Sequence, residues 1–269
     1  MEKNRYELHG RVNSQMPFIF HCAIEPNDRM MPNWHENLEI IYCFKGSGSV
    51  KYNENVYPIR AGEMVVVNSE VIHHVFNTGD PVYHCMIIDR GFCESNGIDV
   101  KGLHFQEKIA DATLGEAFTR IFAVYDAYTN EQLPYGATEL RAKTLDFLCS
   151  LCRKYAQPAA DRKGSNKAEE IKQALLYINQ NYARALSLGE IAGYAGLSKS
   201  YLAREFKKYT NKTVFEMILN VRCKEARRRI AAGETASQAA LACGFESLSY
   251  FSRVFKRCYG VSPSEFRKK

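Results

Sequence analysis

Along the first third of the chain, apolar and polar positions change over in short stretches broken by turns. Residues 39–44, 48–52, 63–67 and 83–88 are rich in β-branched and aromatic side chains and read as strands. Residues 45–48, 52–55, 60–62 and 77–81 hold the Gly, Asn, Asp and Pro of turns. Many short strands with close turns predict a sandwich or β-barrel, the jelly roll included. The period then lengthens. Apolar side chains recur three and four apart over 106–128, through Leu114, Phe118, Ile121, Phe122 and Tyr125. They do so again over 138–155, through Leu140, Leu145, Leu148 and Leu151, so two helices are expected. Residues 1–15 read as a polar arm, and 157–166 as a linker of Pro, Gly, small and charged residues. Everything beyond reads as helices with short joints. The expected architecture is α+β and multidomain: a β-barrel with two helices over 1–156, the linker, and an all-α unit over 167–269.

The all-α part contains one pattern twice. Ala195, Gly196, Leu197 and Ser198 precede Ser200, Tyr201 and Leu202, then Phe206, Lys207 and Lys208. Cys243, Gly244, Phe245 and Glu246 precede Ser249, Tyr250 and Phe251, then Phe255, Lys256 and Arg257. The glycines are 48 residues apart and the tyrosines 49. Two copies are too few for a solenoid; a pair of helix-turn-helix units fits better. Each second helix divides into stripes. Leu202, Phe206 and Tyr209 fall on one face, while Ser200, Ala203, Arg204 and Lys207 fall on another. The second copy repeats this with Phe251, Phe255 and Cys258 inward and Ser249, Ser252, Arg253 and Lys256 outward. Gly196 and Gly244 sit where the turn needs positive φ, and Ser198 can N-cap the first reading helix. Thr213 with Glu216, and Ser262 with Glu265, form capping boxes, with Pro263 at the first helical position. A connecting helix from Val214 to about Ala232 holds Arg222, Lys224, Arg227, Arg228 and Arg229. If both readers enter successive major grooves they should lie about 34 Å apart.

Charge agrees with this division. The chain has 269 residues, 46% hydrophobic and 25% charged, with net charge +6. Residues 1–165 hold 17 Lys and Arg against 21 Asp and Glu; residues 166–269 hold 19 against 9. Only the second half, at +10, is suited to a polyanion. No apolar run reaches the ~20 residues of a membrane span. The N-terminal residues lead into no apolar signal core, and nine scattered cysteines fit a reducing compartment. A cytoplasmic location without membrane contact is expected. Cys149 and Cys152 lie three apart in a helix and read as packing rather than redox chemistry.

These residues resemble the AraC/XylS family of bacterial transcription regulators. The resemblance covers roughly residues 167–269 and is strongest through Gly244-Phe245, the run from Ser249 to Lys256, and the run from Gly260 to Arg267. It implies binding to double-stranded DNA, with RNA polymerase and a second copy of the chain as partners, and activation as the usual outcome. Ser198, Ser200, Arg204, Lys207, Lys208, Ser247, Ser249, Ser252, Arg253, Lys256 and Arg257 are the expected DNA-binding residues. One departure is the run from Ala236 to Ala240, where the family has larger aliphatics at the first and fourth positions, here Ala236 and Ala239; looser packing under the second reader is expected. The apolar stripe of Leu145, Leu148 and Cys152 is the expected dimer contact.

The N-terminal half resembles a cupin. Trp34 to Glu39, followed by Gly46, is similar to the first cupin motif, and Gly62, Asn68, His73 and Asn77 to the second. In metal-binding cupins three histidines and a glutamate converge; here His35, Glu39 and His73 take three of those places and Asn37 the fourth. Cupin domains of this regulator family usually hold a ligand without metal, so neither metal nor cofactor is expected. Strand alternation puts His35, Asn37, Glu39 and Ile41 on one face, a polar pocket for a small hydroxylated effector such as a sugar. His21 and His84 are further candidate effector ligands. The rival reading is a metal-dependent cupin enzyme with an appended DNA-binding tail, resting on His35, Glu39 and His73. A third is a constitutive DNA binder whose barrel only dimerises.

Overall fold

A strand that is apolar on both faces must be covered on both sides, and this condition shapes the N-terminal unit. The computed structural model describes residues 18–22, 31–76, 82–131, 133–159 and 166–267. The chain divides into two compact units near residue 163. Strand β2 (Leu38–Lys45) is central in an antiparallel sheet ordered β1–β7–β2–β5–β9, with β1 Phe18–Cys22, β5 Met64–Val67, β7 Val82–Ile88 and β9 Lys108–Ile109. Leu38, Ile40, Met64, Val66, Met86 and Ile88 turn to one face. There they meet α1 (Arg90–Ser95), α2 (Ala112–Glu131) and α3 (Gly136–Tyr155) through Cys93, Leu114, Phe118, Ile121 and Phe147. Ile41, Cys43, Val65, Val67 and Cys85 turn to the other face. They pack on a second sheet, β4–β3–β6, made of β3 Ser47–Tyr52, β4 Asn55–Arg60 and β6 His73–Phe76. The expected β-rich unit is present, as two facing sheets with helices on one outer side.

Several boundaries differ from expectation. The periodicity does not predict β4, which contains Pro58; its place at a sheet edge, opposite Ser49, tolerates the missing N–H. The helix expected from residue 106 starts at Ala112. Lys108 and Ile109 instead pair with Val65 and Met64, and the Asp111 carboxylate then caps α2 by accepting from the Leu114 N–H at 3.1 Å. Gln157 and Pro158, the start of the expected linker, join Ala156 in β10 (Ala156–Pro158) on β8 (Leu103–Phe105). Of the stripe expected at a dimer contact, Leu148 is fully buried in the core beneath the helices and Cys152 packs half-buried against that core, while Leu145 is half-buried outside it. The arm over 1–15 and the turn over 77–81 lie outside the described residues.

The C-terminal unit is all helix: α4 Asn166–Asn181, α5 Leu188–Tyr194, α6 Lys199–Thr210, α7 Val214–Ala231, α8 Ala236–Ala242, α9 Leu248–Tyr259 and α10 Pro263–Arg267. Serine or threonine starts most of them. Ser187, Ser198 and Ser247 accept from the N–H three residues on. Thr213 with Glu216, Thr235 with Gln238, and Ser262 with Glu265 form reciprocal capping boxes. Of these, Thr235 with Gln238 was not anticipated. Gly196 (φ +70°) and Gly244 (φ +80°) make the two turns. They differ in surroundings. A Cβ on Gly196 would enter open space, whereas one on Gly244 would lie 2.5 Å from the Ala183 carbonyl oxygen. Ala239 and Ala240 are fully buried in a cluster with Cys223, Ala226, Phe245 and Phe251, and Ala236 packs partly buried against it.

Two measurements follow. Gly196→Ala meets only the left-handed backbone penalty, about 1 kcal/mol; Gly244→Ala adds a backbone clash and should lose clearly more in denaturant unfolding of the two variants side by side. Asp111 is held at about 2 by hydrogen bonds from Lys154 and the Leu114 N–H, below its ordinary 3.8. Its folded-state pKa is depressed, so its stabilisation is complete above the ordinary value and disappears as pH falls towards the lower one. Asp111→Asn should therefore unfold at lower urea than wild type near neutrality, the gap closing as pH falls through about 4 to 2.

Candidate functional site

The recognition surface begins with helical period. From Ser200 to Lys208 in α6 and from Ser249 to Arg257 in α9 the residues at equivalent positions share the same exposure. Ser200, Ala203, Arg204, Lys207 and Lys208 are exposed, as are Ser249, Ser252, Arg253, Lys256 and Arg257. Beneath them Leu202, Phe206 and Tyr209 are buried in the first helix, and Phe251, Val254 and Phe255 in the second. Each helix thus presents a cationic and hydroxyl stripe on a rigid apolar base. Cys258, expected inward, is half-buried. Ser198 and Ser247 are exposed too, but their oxygens accept from the N–H groups of Tyr201 and Tyr250 at 3.3 Å. As caps they start the helices, and each hydroxyl proton is still available to an outside acceptor.

Tyr201 and Tyr250 are half-exposed. Their rings lie under the guanidinium groups of Arg204 and Arg253, at 5.2 and 5.8 Å. A tyrosine three residues before an arginine in both copies was the available signal for this cation–π pairing. The copies differ in one respect. Arg204 Nε donates to Glu205 Oε1 at 2.9 Å, and Glu205 is buried; Val254 occupies the matching place in α9. The arginines of α7 are largely structural. Arg228 pairs with Glu225 and Arg229 with Glu234, both at 2.9 Å, and Arg227 lies over the rings of Tyr259 and Phe266. Arg222 donates to the carbonyls of Tyr182 and Arg184 at 2.7 and 2.8 Å.

In the N-terminal unit, β2, the chain just ahead of it and β6 bring three expected residues together: Glu39, His35 and His73. His35 Nε2 lies 3.0 Å and His73 Nε2 2.9 Å from the same atom, Glu39 Oε2. The rings meet edge to face, 5.1 Å between centroids. All three side chains are buried, and their ligand atoms lie within 4.8 Å of one another. The second nitrogen of each ring is also engaged: His73 Nδ1 donates to the Val71 carbonyl (2.9 Å) and His35 Nδ1 to the Asn37 carbonyl (3.2 Å). Burial alone would raise the Glu39 pKa. With charged rings, the His73 charge and hydrogen bonds from both histidines outweigh burial and hold the carboxyl well below its usual range. Two imidazole nitrogens and one carboxylate are a donor set that fits a divalent transition ion.

The other candidate effector ligands do not join this cluster. The side chain of Asn37 is turned to α1, where its Oδ1 accepts from the Arg90 N–H at 3.1 Å; only its backbone carbonyl touches His35. Irregular chain ahead of β2 breaks the alternation that was expected to align them. His84 lies on the opposite face of the sheet, against Phe44 and Phe122 at 4.5 and 3.9 Å, and burial lowers its pKa. His21 pairs with Cys85 in register, its side chain outside the described residues. Asn68 ties chain segments together, bonding both the N–H and the carbonyl of Phe105 and the Tyr52 hydroxyl. Asn77 lies outside the described residues. Asn37→Ala should therefore lose about 1 kcal/mol of N-terminal stability in thermal unfolding, through the α1 end, while ligand affinity at the cluster is unchanged.

Comparisons with known proteins agree with both halves. A family profile described as a helix-turn-helix domain matches residues 191–269, and one described as a cupin domain matches residues 20–88. The chain is 33% identical over 119 residues to an uncharacterised HTH-type transcriptional regulator in the cgkA 5' region of Pseudoalteromonas carrageenovora, covering 42% of this chain and 70% of that one. It is 22% identical over 257 residues to the Msm operon regulatory protein of Streptococcus mutans, covering 93% and 92%. With the HTH-type transcriptional activator RhaR of Mannheimia succiniciproducens it shares 24% over 241 residues, covering 87% and 86%.

Proposed function

The chain belongs to the AraC-type family of helix-turn-helix transcription regulators, and on that premise we propose that it reads duplex DNA with α6 and α9 under the control of a ligand held in its cupin-like unit. The observation that supports this most is the identical exposure of two cationic stripes in two helices of the same unit. In this reading Ser200, Arg204, Lys207 and Lys208 face one major groove, and Ser249, Ser252, Arg253, Lys256 and Arg257 the next. Ser198 and Ser247 offer hydroxyl protons to phosphate at the helix N-termini, where the helix dipole favours anions. The connector α7, 18 residues long, extends about 27 Å at the helical rise, the scale of one duplex turn. Arg253, with no acidic partner among the described residues, is the first choice for a base contact; Arg204, tied to Glu205, is the first choice for phosphate.

The effector unit runs through β10 and the DNA-binding unit from α4, with the linker between them. His35, Glu39 and His73 form the polar centre of the effector unit, and a small hydroxylated molecule such as a sugar is the ligand class to test first. The regulator acts as a cytoplasmic homodimer that recruits RNA polymerase; activation is supported by the relative named as an activator. Among the described residues no helix is long and apolar enough to cross a membrane. Its relatives are transcription regulators rather than cupin enzymes.

Binding sites selected from random duplex DNA supply the probe. Affinity should fall steeply and log-linearly with salt as phosphate counterions are released. Arg253→Ala should lower affinity for the selected site by about 1–3 kcal/mol while leaving scrambled DNA nearly unaffected. Equal loss on both would move Arg253 to the phosphate backbone, and equal affinity of wild type for both would defeat sequence-specific reading.

A further inference from the structure

The free cysteines among the described residues are of two chemical kinds. Burial pushes the thiols of Cys43, Cys93, Cys152 and Cys243 up, and a thiol that keeps its proton is a poor nucleophile. Cys258 differs. It stands near the end of the reader helix α9, half-buried, where Cys223 of the connector α7 meets it from the core. The Cys223 thiol donates a hydrogen bond to the Cys258 sulfur, and the charges of Arg257 and Lys212 lie beside it. Together they outweigh burial and bring Cys258 down to about 7 from its ordinary 9.0, so much of it is thiolate near neutrality. The same hydrogen bond, with burial, pushes Cys223 up. As a thiol, Cys258 donates to Asn220 Oδ1 at 3.6 Å. Asn220 and Cys223 are three apart on α7, so one face of the connector holds the sulfur of the reader. Glu216 is the acidic group near Lys212, and its carboxylate is already engaged by Thr213.

We propose that Cys258 and Cys223 are a peroxide-responsive pair, in which Cys258 is the site of oxidation and Cys223 closes an intrachain disulfide between α9 and α7. The Cys258 thiolate attacks one oxygen of hydrogen peroxide. An S–O bond forms, the O–O bond breaks, and the departing hydroxide takes up the proton that the Cys258 thiol lost. The sulfur is oxidised to a sulfenic acid and the peroxide is reduced to water. Oxidation also removes the thiolate that held the Cys223 proton. Cys223 then attacks the oxidised sulfur: the S–S bond forms, the S–O bond breaks, and the leaving hydroxide carries the Cys223 proton away as water. In sum, two thiols and one peroxide give one disulfide and two waters, and a dithiol reverses the change by exchange. Sulfurs in hydrogen-bond contact must close to about 2.05 Å, so the last turn of α9, with Lys256 and Arg257, is drawn onto α7 and loses the Asn220 contact. The inference goes beyond the effector reading and rests on the DNA reading only for the step from disulfide to affinity.

The test uses the full chain, reduced, freed of reductant and treated with hydrogen peroxide near neutrality. Non-reducing peptide mass spectrometry should find Cys223 linked to Cys258 within one chain, and dithiothreitol should reverse the link. Cys223→Ser keeps a hydroxyl donor but removes the resolving sulfur, so dimedone should trap a sulfenic acid at Cys258. Cys258→Ser should form no link and leave Cys223 unoxidised. Retained circular dichroism shows that each variant is folded. The exposed Cys149 is the internal control. Oxidation of Cys149 ahead of Cys258 overturns the proposal, as does absence of the link or a link from Cys258 to any other cysteine. For the DNA step, oxidation should lower wild-type affinity for the selected site by roughly tenfold, about the cost of one lost base contact. Reduction should restore it, and peroxide should not change it in Cys258→Ser. A linked chain with unchanged affinity overturns the step to DNA and leaves the disulfide, whereas a reduced chain that binds no duplex breaks the regulator reading and not the disulfide.

Discussion

The geometry of the paired readers depends on three consecutive backbone carbonyls, those of Tyr182, Ala183 and Arg184, just beyond the end of α4. Arg222, on the connector α7, donates to the first and third. Gly244, in the second helix-turn-helix turn, lies against the second so closely that no side chain could stand there. The segment thus joins the start of the first unit, the connector and the turn of the second unit. A helix end leaves carbonyls without intrahelical partners, and a guanidinium beside them satisfies both the hydrogen bonds and the negative end of the dipole. The Arg222 charge is partly desolvated, so its two carbonyl partners matter more than an exposed ion pair would. Recognition of two successive grooves requires the readers to keep a fixed offset, and this clamp fixes part of it.

How much of this was legible in the sequence depended on whether a signal was local. The reader helices follow from a 3.6-residue period doubled at a constant offset, and the caps follow from serine and threonine three residues before a partner. Both are short-range rules, and Ser198, Thr213 and Ser262 obey them. The residues missed or misplaced answer to distant partners. Residues 106–109 look helical until Met64 and Val65 offer an open sheet edge. Leu148 looks like a dimer contact until the sheet beneath α3 covers it. His84 matches the other candidate histidines in type, but strand parity sends it to the helix-covered face with Met86, away from Glu39. Asn37 fits the motif by spacing, yet its amide serves the end of α1. Periodicity gives the face of a residue only where the strand is regular, and β2 begins after Asn37.

Strand parity also explains why the Glu39 cluster is informative. Every other residue of β2 that faces the second sheet is apolar, and Ile41 and Cys43 are fully buried there. A carboxylate in such a place loses hydration worth several kcal/mol unless partners replace it. Apolar residues of similar size would stabilise the sandwich as well or better, so three ionisable groups meeting there are not explained by folding alone. The adjoining polar residue Asn68 illustrates the contrast. Its amide is spent on the Phe105 backbone and the Tyr52 hydroxyl, a fully satisfied arrangement that closes the fold and leaves no valence directed at a ligand.

The difference between the two readers follows the same reasoning. A guanidinium that already donates to a buried carboxylate has part of its fork occupied, and drawing it fully onto a base edge would leave Glu205 with an uncompensated charge. Arg204 is therefore suited to a contact that adds a partner without removing one, as a phosphate oxygen does. Arg253 rests on the Tyr250 ring, with no acidic partner among the described residues. The ring restricts its motion without consuming any N–H donor, so the whole bidentate edge is available to a guanine. The valine in place of glutamate beneath one of two otherwise matching stripes thus leaves the two guanidinium groups with different shares of their donors already engaged.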